Sequence, residues 1–270
     1  MKQTSRQGIA NKAAQDKAYR FRNLFGVLTA GFLFWCWDFI NRRASASVDR
    51  IDAIAYEDNL LGNIQQQAQQ VKEGAYRAKR VLRKYIPKAG GKLRPLGIPA
   101  IADKLLQLAV AKILEAIYEQ DFLSCSYGYR PGISAHKAVK DLTSELKSGK
   151  YHVVVEADIK GFFNAINHDL LLDMLMKRID DSPFLNLIRK WLKAGILETD
   201  GQVLHPLMGV PQGGSVSPIL ANIYLHYVLD EWFEETVRAH CTGHAYYAVM
   251  RMILSALFNM TKMHDAFTRR

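Results

Sequence analysis

The chain has 270 residues, 49% of them apolar, 23% charged and 10% aromatic, a globular composition long enough for one large domain or two small ones. Its net charge of +10 sits at the front: between Met1 and Ala100, 18 Lys/Arg face 7 Asp/Glu, a balance of +11 that leaves −1 for the rest. Three cysteines, odd in number and far apart (Cys36, Cys125 and Cys241), exclude a disulfide framework or a zinc-ligand spacing and fit a reducing, cytoplasmic setting. A basic front on a neutral body suits a polyanion, nucleic acid ahead of a membrane surface, or merely a solvated basic face.

In chain order, residues 1–23 are polar, basic and predicted helical, with frayed ends. The apolar run from Leu24 to Trp37 holds two glycines and is shorter than the roughly 20 residues of a membrane span. It starts too late for a signal peptide. It is therefore expected to form a buried helix, with no membrane partner. Residues 50–84 are predicted helical, with the glutamines of 65–70 on a solvated face. Arg83–Lys88 and Lys92–Pro99 flank Gly90-Gly91 and predict a β-hairpin.

Apolar residues at 101, 105, 108, 109, 113, 116 and 117 follow a helical period over Ile101–Glu119. Tyr127–Gly132 reads as a loop and Ser134–Leu146 as a helix. Tyr151–Val155 is a β-branched, buried strand leading to Asp158. Two helices, Asp169–Ile179 and Phe184–Ala194, precede an extended Leu204–Val210. The Pro211–Gly214 turn then leads into one long helix, Ser217–Phe233.

Three groups of residues carry chemistry. Asp158, at a strand end, can hold a hard cation through oxygen, although an isolated Asp there more often caps a turn. Gln212, Gly213 and Gly214 let backbone come close to a nucleic-acid chain, although such a string is also an ordinary turn. Lys88, Lys92 and Arg94 on a hairpin can clamp a triphosphate, although a single surface Lys is usually only solvated.

Their order and spacing decide the matter. Tyr19–Leu24, Tyr85–Lys88, Gly91–Pro99, Ser126–Gly132, Glu156–Phe163 and Gly209–Gly214 together resemble the group II intron-encoded reverse transcriptases, the maturase family. The resemblance implies an α+β fold: right-hand polymerase fingers and a partial palm, helix-rich with a small antiparallel sheet. The implied division is an N-terminal basic extension (1–50), fingers (51–150), partial palm (151–247) and a frameshifted tail (248–270). A thumb and a maturase domain would follow in the family.

The resemblance also implies roles. Asp158 is the first catalytic aspartate and, with the Ile159 carbonyl, a Mg²⁺ ligand. Phe163 screens the sugar 2′ position. Lys88 and Arg94 meet the incoming triphosphate, and Gln212 and Gly213 line the template–primer site. Implied partners are group II intron RNA, template–primer nucleic acid and deoxynucleoside triphosphates, with a homodimer as a further candidate. The two rival readings are a non-catalytic, intron-RNA-binding splicing cofactor and an inert mobile-element remnant.

The sequence departs from the family in three places. Asn164 and Asn167 stand where acids are usual. Ser47-Val48-Asp49-Arg50 replaces a Gly-Val-Asp-Gly turn and puts a side chain where positive φ is needed. After Tyr247 the expected Tyr-Ala-Asp-Asp is missing, and no Asp follows until Asp265. Met252-Ile253 forces an Asp codon, GAT, in a shifted frame. With free choice of third bases that frame reads Tyr-Ala-Asp-Asp-Phe-Ile-Cys-Ala and continues in family style. A frameshift near codon 248 is the expected cause. Without the further carboxylates, one Asp cannot hold two Mg²⁺, so no polymerisation is expected from the chain alone. Loss of the strands beside Asp158 is also expected to expose a sheet edge and lower solubility.

Overall fold

The computed structural model describes residues 5–88, 90–241, 243–250 and 253–258. The chain divides into two compact units: residues 1–120 with 163–220, and residues 121–162 with 221–270.

The first unit is built on α5 (Ile101–Tyr118), whose side chains are buried nearly all round, the pattern of a central core helix. Against it pack α1 (Arg6–Gln15), capped by Ser5 Oγ accepting from the Gly8 N–H, and α2 (Ala30–Trp37), capped by Thr29. The helix expected over 1–23 stops at Gln15. Beyond it the buried Arg178 guanidinium donates to the carbonyls of Ala13, Asp16, Lys17 and Tyr19, and Phe21 bridges Ile179. These bonds hold the chain extended.

The apolar run of 24–37 is likewise not one buried helix. A 3₁₀ turn, Phe25–Val27, comes first, and Thr29 restarts the chain as α2. Leu33, Cys36 and Trp37 are buried, whereas Phe34 and Trp35 face solvent. Among the described residues no helix is long and apolar enough to cross a membrane.

The segment 50–84 breaks into α3 (Ala53–Glu57) and α4 (Leu60–Lys72), ending at Gly74 with φ 71°. Of the glutamines in α4, Gln67 is the exception to the solvated face: it is buried and donates to the Ala102 carbonyl at 2.7 Å. Arg50 adopts φ 58°, so a side chain stands in the left-handed region at this turn.

β1 (Val81–Pro87) and β2 (Leu93–Ile98) form the expected hairpin, with Ile86 opposite Arg94. β3 (Val153–Asp158), the strand leading to Asp158, belongs to the second unit. The short α7 (Phe162–Ala165) precedes α8 (His168–Met176) and α9 (Ser182–Leu192). Asn167 caps α8, its Oδ1 accepting from the Asp169 and Leu170 N–H groups at 2.9 and 3.0 Å. A neutral amide does this as well as a carboxylate.

β4 (Ile196–Leu197) runs parallel to β1 and antiparallel to β5 (Val203–Leu204), giving a mixed sheet of order β2-β1-β4-β5. The single small antiparallel sheet expected is therefore joined by a second, mixed one.

The second unit holds α6 (Ala135–Lys147), capped by Ser134, and an antiparallel sheet of order β3-β7-β6. The helix beginning as α10 (Ser217–Leu225) runs past Phe233, through two π turns at His226–Asp230 and Phe233–Val237, to α11 (Arg238–His240). β6 (Ala245–Met250) and β7 (Ile253–Phe258) follow.

Two expectations fail in this unit. β3 is not stripped of its neighbours: it pairs along its whole length with β7, which pairs with β6. The residues after 247 keep apolar, strand-forming side chains, and Val249, Ala256 and Phe258 join Cys125, Phe233 and Tyr247 in the core. Nor is β3 buried. Val153 and Val154 are exposed, because β3 is the outer strand of the sheet. Residues 251–252 and 259–270 of the expected tail lie outside the described residues.

Candidate functional site

In the first unit the hairpin and the glycine turn come together. The backbone of the 211–213 turn lies along the outer edge of β2, where the Gly97 N–H donates to the Gln212 carbonyl at 2.6 Å. Arg94 Nε donates to Gln212 Oε1 at 3.2 Å, joining two residues 118 positions apart in sequence. Gly213 has φ 115°, and a β-carbon there would lie on the Gly97 carbonyl oxygen, so no other residue fits without moving backbone.

Behind the turn, Gln107 Oε1 accepts from the Ser215 N–H at 3.0 Å, and Ser217 Oγ donates to the Pro211 carbonyl at 2.7 Å. Gln107 is a residue that sequence reading missed. Its signal was a polar side chain on the buried, mainly apolar face of α5, where Asp103 is the other such residue.

The pleat sorts the hairpin's cations. Residues i and i+2 share a face, as do cross-strand partners. Lys84, Ile86 and Lys88 therefore share a face with Leu96, Arg94 and Lys92, and the Lys88 N–H donates to the Lys92 carbonyl at 2.7 Å. The opposite face is neutralised: Arg83 Nε and Tyr85 Oη both meet the Glu198 carboxylate at 3.0 Å. Lys84, Lys88, Lys92 and Arg94 are exposed and form no ion pair among the described residues. This is a one-sided cationic surface next to closely approachable backbone.

Phe163 is buried in the same unit, and its carbonyl accepts from the Val210 N–H at 2.7 Å. Gly209, with φ 93°, presses on the Asn164 backbone, and its carbonyl meets His168 Nε2 at 2.7 Å. Phe163 is thereby held against the irregular segment that leads into the 211–214 turn.

Asp158 belongs to the second unit and stands differently. It is exposed at the end of β3, directly opposite Ile253, which in turn pairs with Met250. At this end the neighbouring strands offer an alkyl and a thioether side chain. Mg²⁺ takes oxygen ligands in near-octahedral geometry. Among the described residues no group of three His, Cys, Asp or Glu side chains is placed to hold a metal, at Asp158 or elsewhere. This donor set does not fit a pair of Mg²⁺ ions.

Around the Tyr127–Gly132 loop the second unit is well tied. Asn222 Nδ2 donates to the Gly128 carbonyl, and Arg130 donates to the carbonyls of Leu123 and Ser126. Tyr127 Oη meets Asp141 at 3.0 Å and Tyr246 Oη at 3.2 Å. The Lys137 and Tyr127 bonds to its carboxylate hold Asp141 below the usual Asp range.

Comparison with known proteins matches residues 86–248 to the reverse transcriptase (RNA-dependent DNA polymerase) family. The match ends one residue past Tyr247. Protein YkfC of Escherichia coli is 33% identical over 238 residues, covering 84% of this chain and 61% of that protein. The group II intron-encoded protein LtrA of Lactococcus lactis is 46% identical over 159 residues, covering 58% of this chain and 26% of LtrA. An uncharacterized 91 kDa protein in the cob intron of Schizosaccharomyces pombe is 46% identical over 149 residues, covering 55% of this chain and 18% of its own length. The chain thus spans between about a fifth and three fifths of these relatives. With the matched motifs in order, the chain belongs to the reverse transcriptase family, in its group II intron-encoded, maturase branch.

Proposed function

We propose that this chain supplies the nucleic-acid- and triphosphate-binding portion of a group II intron-type RNA-directed DNA polymerase, and that alone it binds RNA without polymerising. The observation that carries the reading is the convergence of Arg94 and Gln212 beside the unpaired cationic face of the β1–β2 hairpin. Lys88 and Arg94 are suited to a deoxynucleoside triphosphate, Arg94 in two-pronged fashion. Gln212 and Gly213 are suited to backbone and base edges of a template–primer, and Phe163 to excluding a 2′-hydroxyl.

The reaction of the intact family joins a primer 3′-hydroxyl to a nucleotide α-phosphate, with Mg²⁺ stabilising the entering and leaving oxygens. Here Asp158, with the Ile159 carbonyl, is one ligand position of that centre, and its acidic companions are missing. The division into a basic extension (1–50), fingers (51–150) and partial palm (151–247) fits this reading, with intron RNA as the partner of the basic front. The reading also makes a frameshift the origin of residues 248–270, which the encoding DNA tests directly.

A primer-extension assay with Mg²⁺ tests the catalytic part. The expected result is no incorporation, and incorporation abolished by Asp158→Ala overturns it. RNA affinity that falls steeply with salt is expected from the hairpin cations. Lys88→Ala with Lys92→Ala should weaken it, and salt-insensitive or absent binding removes the RNA-binding part.

A further inference from the structure

The first unit contains a second basic site that none of the family motifs touches. A cavity of about 720 Å³ lies between α9 and the link joining α4 to β1. Its floor is apolar, with Phe25, Val71 and Leu187 among its lining residues. Its rim carries four cations: Arg77 from the link, Arg189 and Lys190 from α9, and Lys193 at the α9 C-cap. The last three, together with Asn186, are spaced 186, 189, 190 and 193, so they share one helix face.

The favourable field at a helix C-terminus accounts for cations in the last turn of α9. It does not account for Arg77 approaching from the other wall. Arg77 and Lys190 are fixed by bonds to the Tyr76 carbonyl at 3.1 and 2.9 Å. Tyr76 is in turn clamped, receiving the Trp191 Nε1–H at 2.7 Å and donating to the buried Asp103. The wall is therefore preorganised. Arg189 and Lys193 are exposed and form no ion pair among the described residues.

Two further cavities adjoin it: one of about 520 Å³ shares Phe25 and Val71 with it, and one of about 500 Å³ shares Tyr76 and Arg77. The latter is lined by amides, including Asn59, Asn63, Gln66 and Gln70, and also by the carboxylates of Asp49 and Asp103, so the cationic cavity is the one suited to an anion.

We infer that the cationic cavity binds single-stranded nucleic acid, with phosphates on Arg189 and Lys193 and a base against the half-buried Phe25 ring. The inference rests on the reading of the chain as a nucleic-acid binder, but uses none of the hairpin residues.

The test is binding of a fluorescein-labelled U12 RNA to the full chain, read by anisotropy between 50 and 300 mM KCl. Arg189→Ala with Lys193→Ala should weaken binding at least about tenfold at low salt. It should also reduce the slope of log K against log salt by roughly 1.4, two phosphate contacts at about 0.7 each for single strands. Lys193→Arg alone, which keeps the charge, should bind within about twofold of the unaltered chain.

Unchanged affinity and slope in the α9 double variant overturns the inference. If Lys88→Ala with Lys92→Ala weakens binding while the α9 variant does not, the cavity inference falls and the hairpin reading stands; the reverse outcome separates them the other way. Inorganic polyphosphate of equal charge should compete at least tenfold less well than unlabelled U12. Equal competition overturns the assignment to nucleic acid in favour of charge alone. Absence of RNA binding by the unaltered chain overturns both readings.

Discussion

The two units treat their functional motifs differently. In the first, residues more than a hundred positions apart close on each other: Arg94 on Gln212, Gly97 on the 211–213 backbone, and Gln107 behind Ser215. In the second, the scaffold around Asp158 is complete as a sheet, yet the carboxylate has an alkyl and a thioether side chain as its cross-strand neighbours. The difference shows that strand pairing and ligand chemistry are separable requirements. Pairing needs backbone amides and apolar side chains on one face, and many sequences supply these. A metal centre needs oxygen atoms at particular positions, and apolar strand residues do not supply them.

Four measurements break or sharpen that contrast. The largest effect is expected from Phe258→Ala. Phe258 is almost wholly buried beside Phe233 and Tyr247, so removing its ring should cost about 3–5 kcal/mol in denaturant unfolding. A change within about 0.5 kcal/mol would mean that the residues after 247 are a loose tail. Next, Gly213→Ala sets a β-carbon against the Gly97 carbonyl at φ 115°. It should cost about 2–3 kcal/mol and weaken RNA binding at the hairpin. An unaltered melt and affinity would detach the turn from β2.

Thiol chemistry reads the same core more gently. Burial pushes the Cys36 and Cys125 thiols up to about 12, and raises Cys241 as well. At pH 8 both therefore stay protonated and shielded, and iodoacetamide should label half-exposed Cys241 at least about tenfold faster. Rapid labelling of Cys125 would show that β6 does not cover it. The smallest effect is expected from Asn167→Ala, which removes the α8 cap at a cost of about 1 kcal/mol. No loss would show that the amide is not the cap.

Much of this was legible in the chain. The hairpin, α5, α6 and the β3 strand follow from alternation, helical period and paired glycines, and the family follows from six short motifs in order. What was not legible came from long-range partners. Arg178 ends the first helix region from more than 160 residues away, and Thr29 divides an apolar run that reads as one piece. The least legible stretch was 248–258: it lacks the expected aspartates, yet its apolar strand pattern is enough to pair with β3. The convergence of Lys88, Arg94, Gln212 and Gly213 could be expected only from the resemblance, and the chain alone gave no sign of Gln107 beyond its polarity.

Arg50 carries a consequence of its own. It sits at φ 58°, where a β-carbon costs about 1–2 kcal/mol relative to glycine. The turn is held by the Arg50 N–H on the Ser47 carbonyl, Ser47 Oγ on the Ile98 carbonyl and Asp49 on Lys79. Two of these tethers reach the segments that open and close the cationic hairpin. The joint thus behaves as a loaded latch: Arg50→Gly would unload it, whereas cutting either tether would let the backbone spring back and loosen the base of the hairpin.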